Sequence, residues 1–205
     1  DPAWIARRAA ARARYGLDGG TPAGLWSTRF YEIDMARAGQ LLAQIVAANP
    51  DIHVLIAGAS ADAANARWQR VATSCAGWQG RVQHLGWLAG DAWEEAALAA
   101  DVGILPLDDT PIHQARCPAT LPRLLALGLP VVAHDVGEVG TYLDGEALGR
   151  RIPAGADARF AEAVLEALAH PGCRAARSRL ATRRWSWDAL AEPVDLAYRR
   201  NLVYK

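Results

Sequence analysis

Leu121-Pro122-Arg123-Leu124-Leu125-Ala126-Leu127-Gly128-Leu129-Pro130-Val131-Val132-Ala133 is the stretch on which the fold turns. Leu121 to Leu127 reads as a helix, Gly128 ends it, and Pro130 to Ala133 reads as a strand. The same alternation extends in both directions. Upstream lie strand-like runs at Val102–Leu105, Val82–Leu85, Ile52–Ala57 and Leu25–Thr28. Between them fall a helix carrying Trp93, Ala96, Ala97 and Leu98, with Asp91 as its expected N-cap, a helix from about Asp62 to Cys75, and an amphipathic helix over Met35–Ala48 stopped by Asn49-Pro50. Asp108 to Ala115 reads as a polar loop. Ala3 to Arg14 is an arginine-rich helix with Pro2 in its first turn, ended near Gly16 and followed by a break at Gly19-Gly20-Thr21-Pro22. Downstream come a weaker strand at Leu148–Ile152, a helix over Ala156–Ala169 and two further helices. Ser186 is the expected N-cap of the last, and Pro193 marks a kink or a late start.

Short strands separated by helix-length segments are what a parallel, doubly wound α/β sheet requires, because each crossover must cover one face of the sheet. The expected fold is a Rossmann-like three-layer αβα sandwich with a parallel sheet. One domain is expected over residues 1–205, with residues 1–22 a linker helix and entry loop and residues 185–205 a C-terminal helix. In such sheets ligands bind beyond the carboxyl ends of the strands, where the strand order reverses.

Composition removes several classes. The 205 residues carry 22 Lys+Arg against 22 Asp+Glu, with a pI near 7.1; such a balance does not suit a chain built to neutralise nucleic-acid phosphates. The apolar runs break before the roughly 18 to 20 residues a bilayer span needs. Cys75, Cys117 and Cys173 form an odd set without a CxxC pair, which suits free thiols in a reducing, cytoplasmic compartment better than a disulfide frame or a zinc site. The chain starts at Asp1 without a leader-like segment, so a fragment or a processed chain is expected. Lys205 is the sole lysine, so a cation that meets a phosphate must be arginine or histidine.

The strand-end loops hold the candidate chemistry. Arg29, directly after the first strand, either points into the crevice towards a diphosphate or pairs with Glu32 or Asp34. Trp87, after Gly86, either stacks on a base or packs in a core, as most of the eight tryptophans must. The loop from Leu107 to Thr120 joins a strand end to a helix start, where free N–H groups favour an anion, and Arg116 and His113 add positive charge. Its Asp108 and Asp109 either hold sugar hydroxyls or a metal ion or belong to a solvated turn. Gly137 and Glu138, in the loop after Ala133, either let backbone approach a ligand or simply form a turn before a short helix. The sequence has no zinc-ligand set, GxGxxG, GxxxxGK[ST] or GxSxG, which disfavours a nicotinamide or flavin oxidoreductase, and it offers no self-contained catalytic group.

Tyr15-Gly16-Leu17, Trp26-Ser27-Thr28-Arg29-Phe30, Val54-Leu55-Ile56-Ala57-Gly58, Val82 to Trp87, Ala100-Asp101-Val102 and Leu127 to Ala133, taken in order, resemble the C-terminal domain of a GT-B glycosyltransferase of family 4. The resemblance covers essentially the whole chain, and the Pro106 to Thr110 loop with Cys117-Pro118 resembles a subgroup. It implies one half of a GT-B fold that binds a nucleotide-sugar donor such as a UDP- or GDP-sugar, with no obligatory cofactor or metal. It also implies that a glycan or lipid-linked acceptor is held mainly by an N-terminal domain outside this chain, in a cytoplasmic enzyme, with attachment to the inner face of a membrane allowed there. By position, Arg29 would meet the diphosphate, Gly86 and Trp87 would flank the base, and the Ala119 and Thr120 amides would cradle phosphate.

The departures from the family are specific. Two glutamates eight positions apart, one near the donor sugar and one on the ribose hydroxyls, are usual there; their places are taken by Ala115 and Arg123. A carboxylate accepts hydroxyl hydrogen bonds and a guanidinium accepts none, so ribose recognition of the usual kind is not available. A neutral Thr120 stands where the subgroup tends to have lysine, which leaves Arg29 and Arg116 as the expected cations. Two readings follow: the donor half of a retaining hexosyltransferase, inactive alone, or a degenerate GT-B domain that serves as a binding or scaffold module. If the first holds, calorimetry will detect binding of UDP or GDP, and Arg29→Ala will weaken it; a chain that binds no nucleotide contradicts it.

Overall fold

In the computed structural model, residues 2–28, 34–58, 80–145 and 147–202 are described. The elements run α1 (Pro2–Arg14), β1 (Ala23–Thr28), α2 (Met35–Ala48), β2 (His53–Gly58), β3 (Val82–Gly86), α3 (Gly90–Ala99), β4 (Val102–Leu105), α4 (Pro111–Gln114) and α5 (Thr120–Ala126). They continue with β5 (Val131–His134), α6 (Val139–Tyr142), β6 (Gly149–Ile152), α7 (Asp157–Ala169), α8 (Arg174–Trp185) and α9 (Trp187–Leu202). The expected helix from Asp62 to Cys75 lies outside the described residues.

The six strands form one parallel sheet in the order β3-β2-β1-β4-β5-β6. The chain builds outward from β1 to β3, then returns to place β4 on the other side of β1, where Gly24 pairs with Val102 and Trp26 with Ile104. Side chains alternate between the two faces of the sheet. Leu25, Leu55 and Val131 pack with α3 and α5 on one face, while Trp26, Val54, Ile56 and Val132 pack with α2 and α7 on the other. The central strands are therefore apolar on both sides, as a parallel sheet covered by helices demands.

Three short segments differ from the sequence reading. Helix α3 starts at Gly90, with Ala89 as a cap that makes no side-chain bond; Asp91 sits inside the first turn, where its charge meets the helix dipole instead of capping it. The loop expected over Asp108 to Ala115 contains α4, because Thr110 caps the His113 N–H and Pro111 presets the first helical dihedral. Helix α9 starts at Trp187 and runs through Pro193, with the Ser186 hydroxyl accepting from the Ala189 N–H at 3.2 Å, so Ser186 caps as expected and Pro193 does not delay the start.

Arginines close the helix ends beneath the sheet. The last carbonyls of α3 have no partners within the helix. Arg8 donates to Leu98 and Ala100, Arg12 to Ala99, and Arg174 to Ala97 and Ala100. Burial brings Arg174 down to about 9, with Arg8 adding repulsion. Arg174 and Arg177 likewise cap the end of α5 through Leu127 and Gly128. Gly128 itself has φ +77°, and a Cβ there would lie 2.4 Å from the Arg174 carbonyl oxygen, so only glycine fits the turn. Asp101 compensates the charge: it accepts from Arg8 at 2.5 Å, Arg12 at 3.3 Å and the Ala23 N–H at 3.0 Å, tying α1 to the start of β1. Asp101→Ala strips Arg12, only 4% exposed, of its carboxylate, and should lower the unfolding free energy in urea by about 2 kcal/mol.

Candidate functional site

A cleft of about 520 Å³ opens where the sheet order reverses, beyond the carboxyl ends of β1 and β2. It is lined by Ser27 and Thr28 of β1, Ala57 and Gly58 of β2, Trp87 to Gly90 and Trp93 after β3, and Ile112, Arg116, Cys117, Ala119, Thr120 and Arg123 after β4. Among the described residues of this lining the charged ones are Arg116 and Arg123, and none is a carboxylate.

Trp93 ties together three elements that border the cleft. It is 4% exposed, its indole N–H donates to the Ser27 hydroxyl at 3.1 Å, and the Arg123 guanidinium carbon stands 4.0 Å over its ring. Trp87, by contrast, is 56% exposed in the cleft lining, after the positive-φ turn at Gly86. Such a ring is available for stacking without prior loss of core packing. At the head of α5 the Ala119 N–H is already spent on the Cys117 carbonyl at 2.9 Å, whereas the Thr120 N–H has no acceptor among the described residues.

The acidic loop residues go elsewhere. Asp108 accepts from the Asp34 N–H at 2.8 Å and forms an ion pair with Arg37, and Arg37 reaches both oxygens of Asp157 at 2.6 and 2.9 Å. His134 completes the cluster: its Nδ1 accepts from the Leu107 N–H at 3.1 Å, which places the proton on Nε2, 3.3 Å from Asp157. Burial first, then the nearby Arg37, brings His134 down to about 4, so it is neutral at pH 7. The hydrogen bond from Arg37 holds the Asp157 carboxyl below its ordinary range. This cluster locks the loop after β4 to α2 and α7 and engages both Asp108 oxygens. Asp109 is held by Gln114 at 2.7 Å, and His113 turns its Nδ1 to the Asp108 carbonyl at 2.8 Å.

Of the residues singled out in the sequence, the structure thus brings Trp87, Arg116, Ala119, Thr120 and Arg123 to one cleft. Gly86, Asp108, Asp109, Ala115, Gly137 and Glu138 do not line it. Ala115 caps the end of α4, and Gly137, at φ +58°, packs so closely that a Cβ would lie 2.6 Å from the His113 carbonyl oxygen. Arg29 lies outside the described residues. Sequence reasoning missed the cleft roles of Trp93, Ser27, Thr28 and Ile112; Trp93 reads as an ordinary core position of its helix, and its partner Ser27 is 66 positions away. Among the described residues no group of three or more His, Cys, Asp or Glu could hold a metal ion, and no helix is long and apolar enough to cross a membrane.

A family model for glycosyl transferases group 1 matches residues 34–170, more than half of the chain. The chain belongs to this family, and its fold is one Rossmann-like half of a GT-B glycosyltransferase. Among solved structures it is similar to sucrose-phosphate synthase from Thermosynechococcus elongatus, at 22% identity and a TM-score of 0.75 over 96% of this chain and 49% of that one. A glycosyltransferase from Rickettsia africae gives 12% identity and a TM-score of 0.76 over 96% of this chain and 52% of that one. HepE of Anabaena, in complex with UDP and glucose, gives 14% and 0.75 over 95% and 52%. The chain spans about half the length of these relatives. No curated protein sequence matches it.

Acid should loosen the cluster behind the cleft. His134 takes up a proton more readily unfolded than folded, so its contribution is full above its ordinary value of 6.5 and is lost as pH falls towards about 4; Asp157, also depressed, loses its contribution lower still. The melting temperature should therefore fall between pH 7 and 4.5. His134→Asn, which keeps an acceptor for the Leu107 N–H and does not titrate, should flatten that slope in thermal melts.

Proposed function

We propose that the chain is the donor-binding, C-terminal domain of a glycosyltransferase that uses a nucleoside-diphosphate sugar, and that the cleft at the strand-order reversal receives the nucleotide. The observation that carries this reading is the lining of that cleft, which among the described residues holds two arginines, a Thr120 N–H without an acceptor, the exposed Trp87 ring and no carboxylate. Such a wall favours a ligand with an anionic centre and a flat aromatic end. Arg116 and Thr120 serve the diphosphate, and Trp87 stacks on the base. UDP and UDP-glucose are bound by HepE of Anabaena, a structural relative, which favours a UDP-sugar among the candidates.

The reaction in this reading transfers a hexose with retention of configuration. As the bond to the sugar breaks, charge builds on the leaving diphosphate, and fixed guanidinium and N–H donors stabilise it more than they stabilise the ground state. The acceptor, a glycan or a lipid-linked saccharide, is held by a second domain, because the chain corresponds to about half of each relative. The 205-residue chain alone then binds donor without transferring sugar. A cytoplasmic setting, at the inner face of a membrane where the acceptor is lipid-linked, goes with this reading.

A second reading is favoured by one observation. The family's usual glutamate positions fall at Ala115 and Arg123, and among the described residues no carboxylate lines the cleft in their place, which suits a module that binds nucleotide or a partner without catalysis. Calorimetry with UDP and GDP tests the primary reading. Micromolar to millimolar binding is expected, with Trp87→Ala weakening it about tenfold through lost stacking and Arg116→Ala by about tenfold or more through a lost charge-assisted bond. Absence of binding to either nucleotide contradicts it.

A further inference from the structure

We propose that Arg123, held over the Trp93 ring, is an oxyanion receptor that makes the cleft discriminate ligands by the number and placement of their negative charges; the assignment deepens the nucleotide-sugar reading of the cleft and rests on it. The buried and half-buried arginines that tie the helices to the sheet have their charge spent. Arg8, Arg12 and Arg37 meet Asp101, Asp108 or Asp157, and Arg174 and Arg177 meet main-chain carbonyls. Arg123 has no hydrogen-bond acceptor or acidic partner for its side chain among the described residues. Its one specific contact is the Trp93 ring, 4.0 Å away.

That contact spends none of the guanidinium's donors on a hydrogen-bond acceptor. The N–H edge stays available, and a guanidinium edge matches the two oxygens of a phosphate or carboxylate in plane. The ring beneath cannot shift, because Trp93 is 4% exposed and anchored to Ser27. The fork is therefore pre-organised, which lowers the entropy lost when a ligand binds. Arg123 also follows Thr120 by one helical turn on α5, so both sit on the same face and border the same cleft as Arg116. Among the described residues the cleft is lined by two guanidinium groups and by no carboxylate, which fits a ligand with two oxyanion centres better than one with a single phosphate and a pair of ribose hydroxyls. The second centre comes from the diphosphate itself, from a phosphate on the ribose, or from a carboxylate on the sugar; the chemistry offered to Arg123 is the same.

The test is calorimetric titration of the full chain, its Arg123→Gln and Arg123→Lys variants, and Trp87→Ala. The probes are inorganic pyrophosphate, UMP, UDP, uridine 3′,5′-bisphosphate, UDP-glucose and UDP-glucuronate, and thermal melts confirm folding. Arg123→Gln should cut affinity for pyrophosphate or for at least one doubly anionic nucleotide about tenfold, while UMP affinity changes less than twofold. Arg123→Lys should fall between, since it keeps the charge and loses the fork, and serves as the readout if the glutamine variant does not fold. Trp87→Ala should leave pyrophosphate unchanged. The probe that loses most identifies the source: UDP the diphosphate, the bisphosphate a ribose phosphate, UDP-glucuronate a sugar carboxylate. Equal affinities of wild type and Arg123→Gln for every probe, or an equal loss for UMP, overturn the proposal. Arg123-dependent binding of pyrophosphate with no nucleotide binding overturns the nucleotide reading and leaves the oxyanion receptor standing; nucleotide binding indifferent to Arg123 does the reverse.

Discussion

In an all-parallel sheet no strand can reach its neighbour through a tight turn; each connection must cross from one end to the other and cover a face on the way. Everything else in this structure depends on that requirement and on one reversal of direction. The chain lays down β1, β2 and β3 in one sense and then places β4 against the opposite edge of β1. The connections after β1 and β4 diverge there, and a cleft opens between them. The apolar centre of the sheet holds this geometry, since Leu25 and Trp26 commit β1 to both faces at once. The cleft is thus a consequence of topology, and its chemistry is a matter of which side chains border it.

Arginine does two distinct jobs in a chain whose only lysine is its last residue. Most of the buried arginines satisfy orphan carbonyls at helix ends, where the five donors of a guanidinium can serve several acceptors together; Arg12 alone reaches Asp18, Thr21, Ala99 and Asp101. Arg123 faces the cleft on an aromatic support instead. Acidic residues sort in a similar way. Asp108 and Asp157 pair with Arg37, and Asp101 pairs with Arg8 and Arg12 at the start of β1, so the described lining of the cleft has a positive bias although the chain has no net charge.

The strands and long helices were legible because burial imposes a period: Met35–Ala48 and Val102–Leu105 have in the structure the limits read from the sequence. So were the cleft positions of Trp87, Arg116 and Thr120, since they follow strand ends. What was not legible depends on distant partners. Asp108 looks like a sugar or metal ligand until Arg37, 71 positions earlier, takes its carboxylate. Nothing local marks Trp93 as a cleft wall, because its partners Ser27 and Arg123 come from β1 and α5. Helix α4 is a different case, as Thr110-Pro111 carries a local start signal that a polar composition obscured.

The central claim, that the cleft at the β1–β4 reversal is the nucleotide site, is most directly tested by amide and indole NMR spectra of the 15N-labelled chain as UDP is added. The account predicts shifts concentrated at the Trp87 and Trp93 indoles, the Thr120 amide and the Arg123 side chain, with the cavity bordered by His170, Arg177 and Arg183 undisturbed. Perturbations centred on that second cavity, or none at all at saturating UDP, would contradict it.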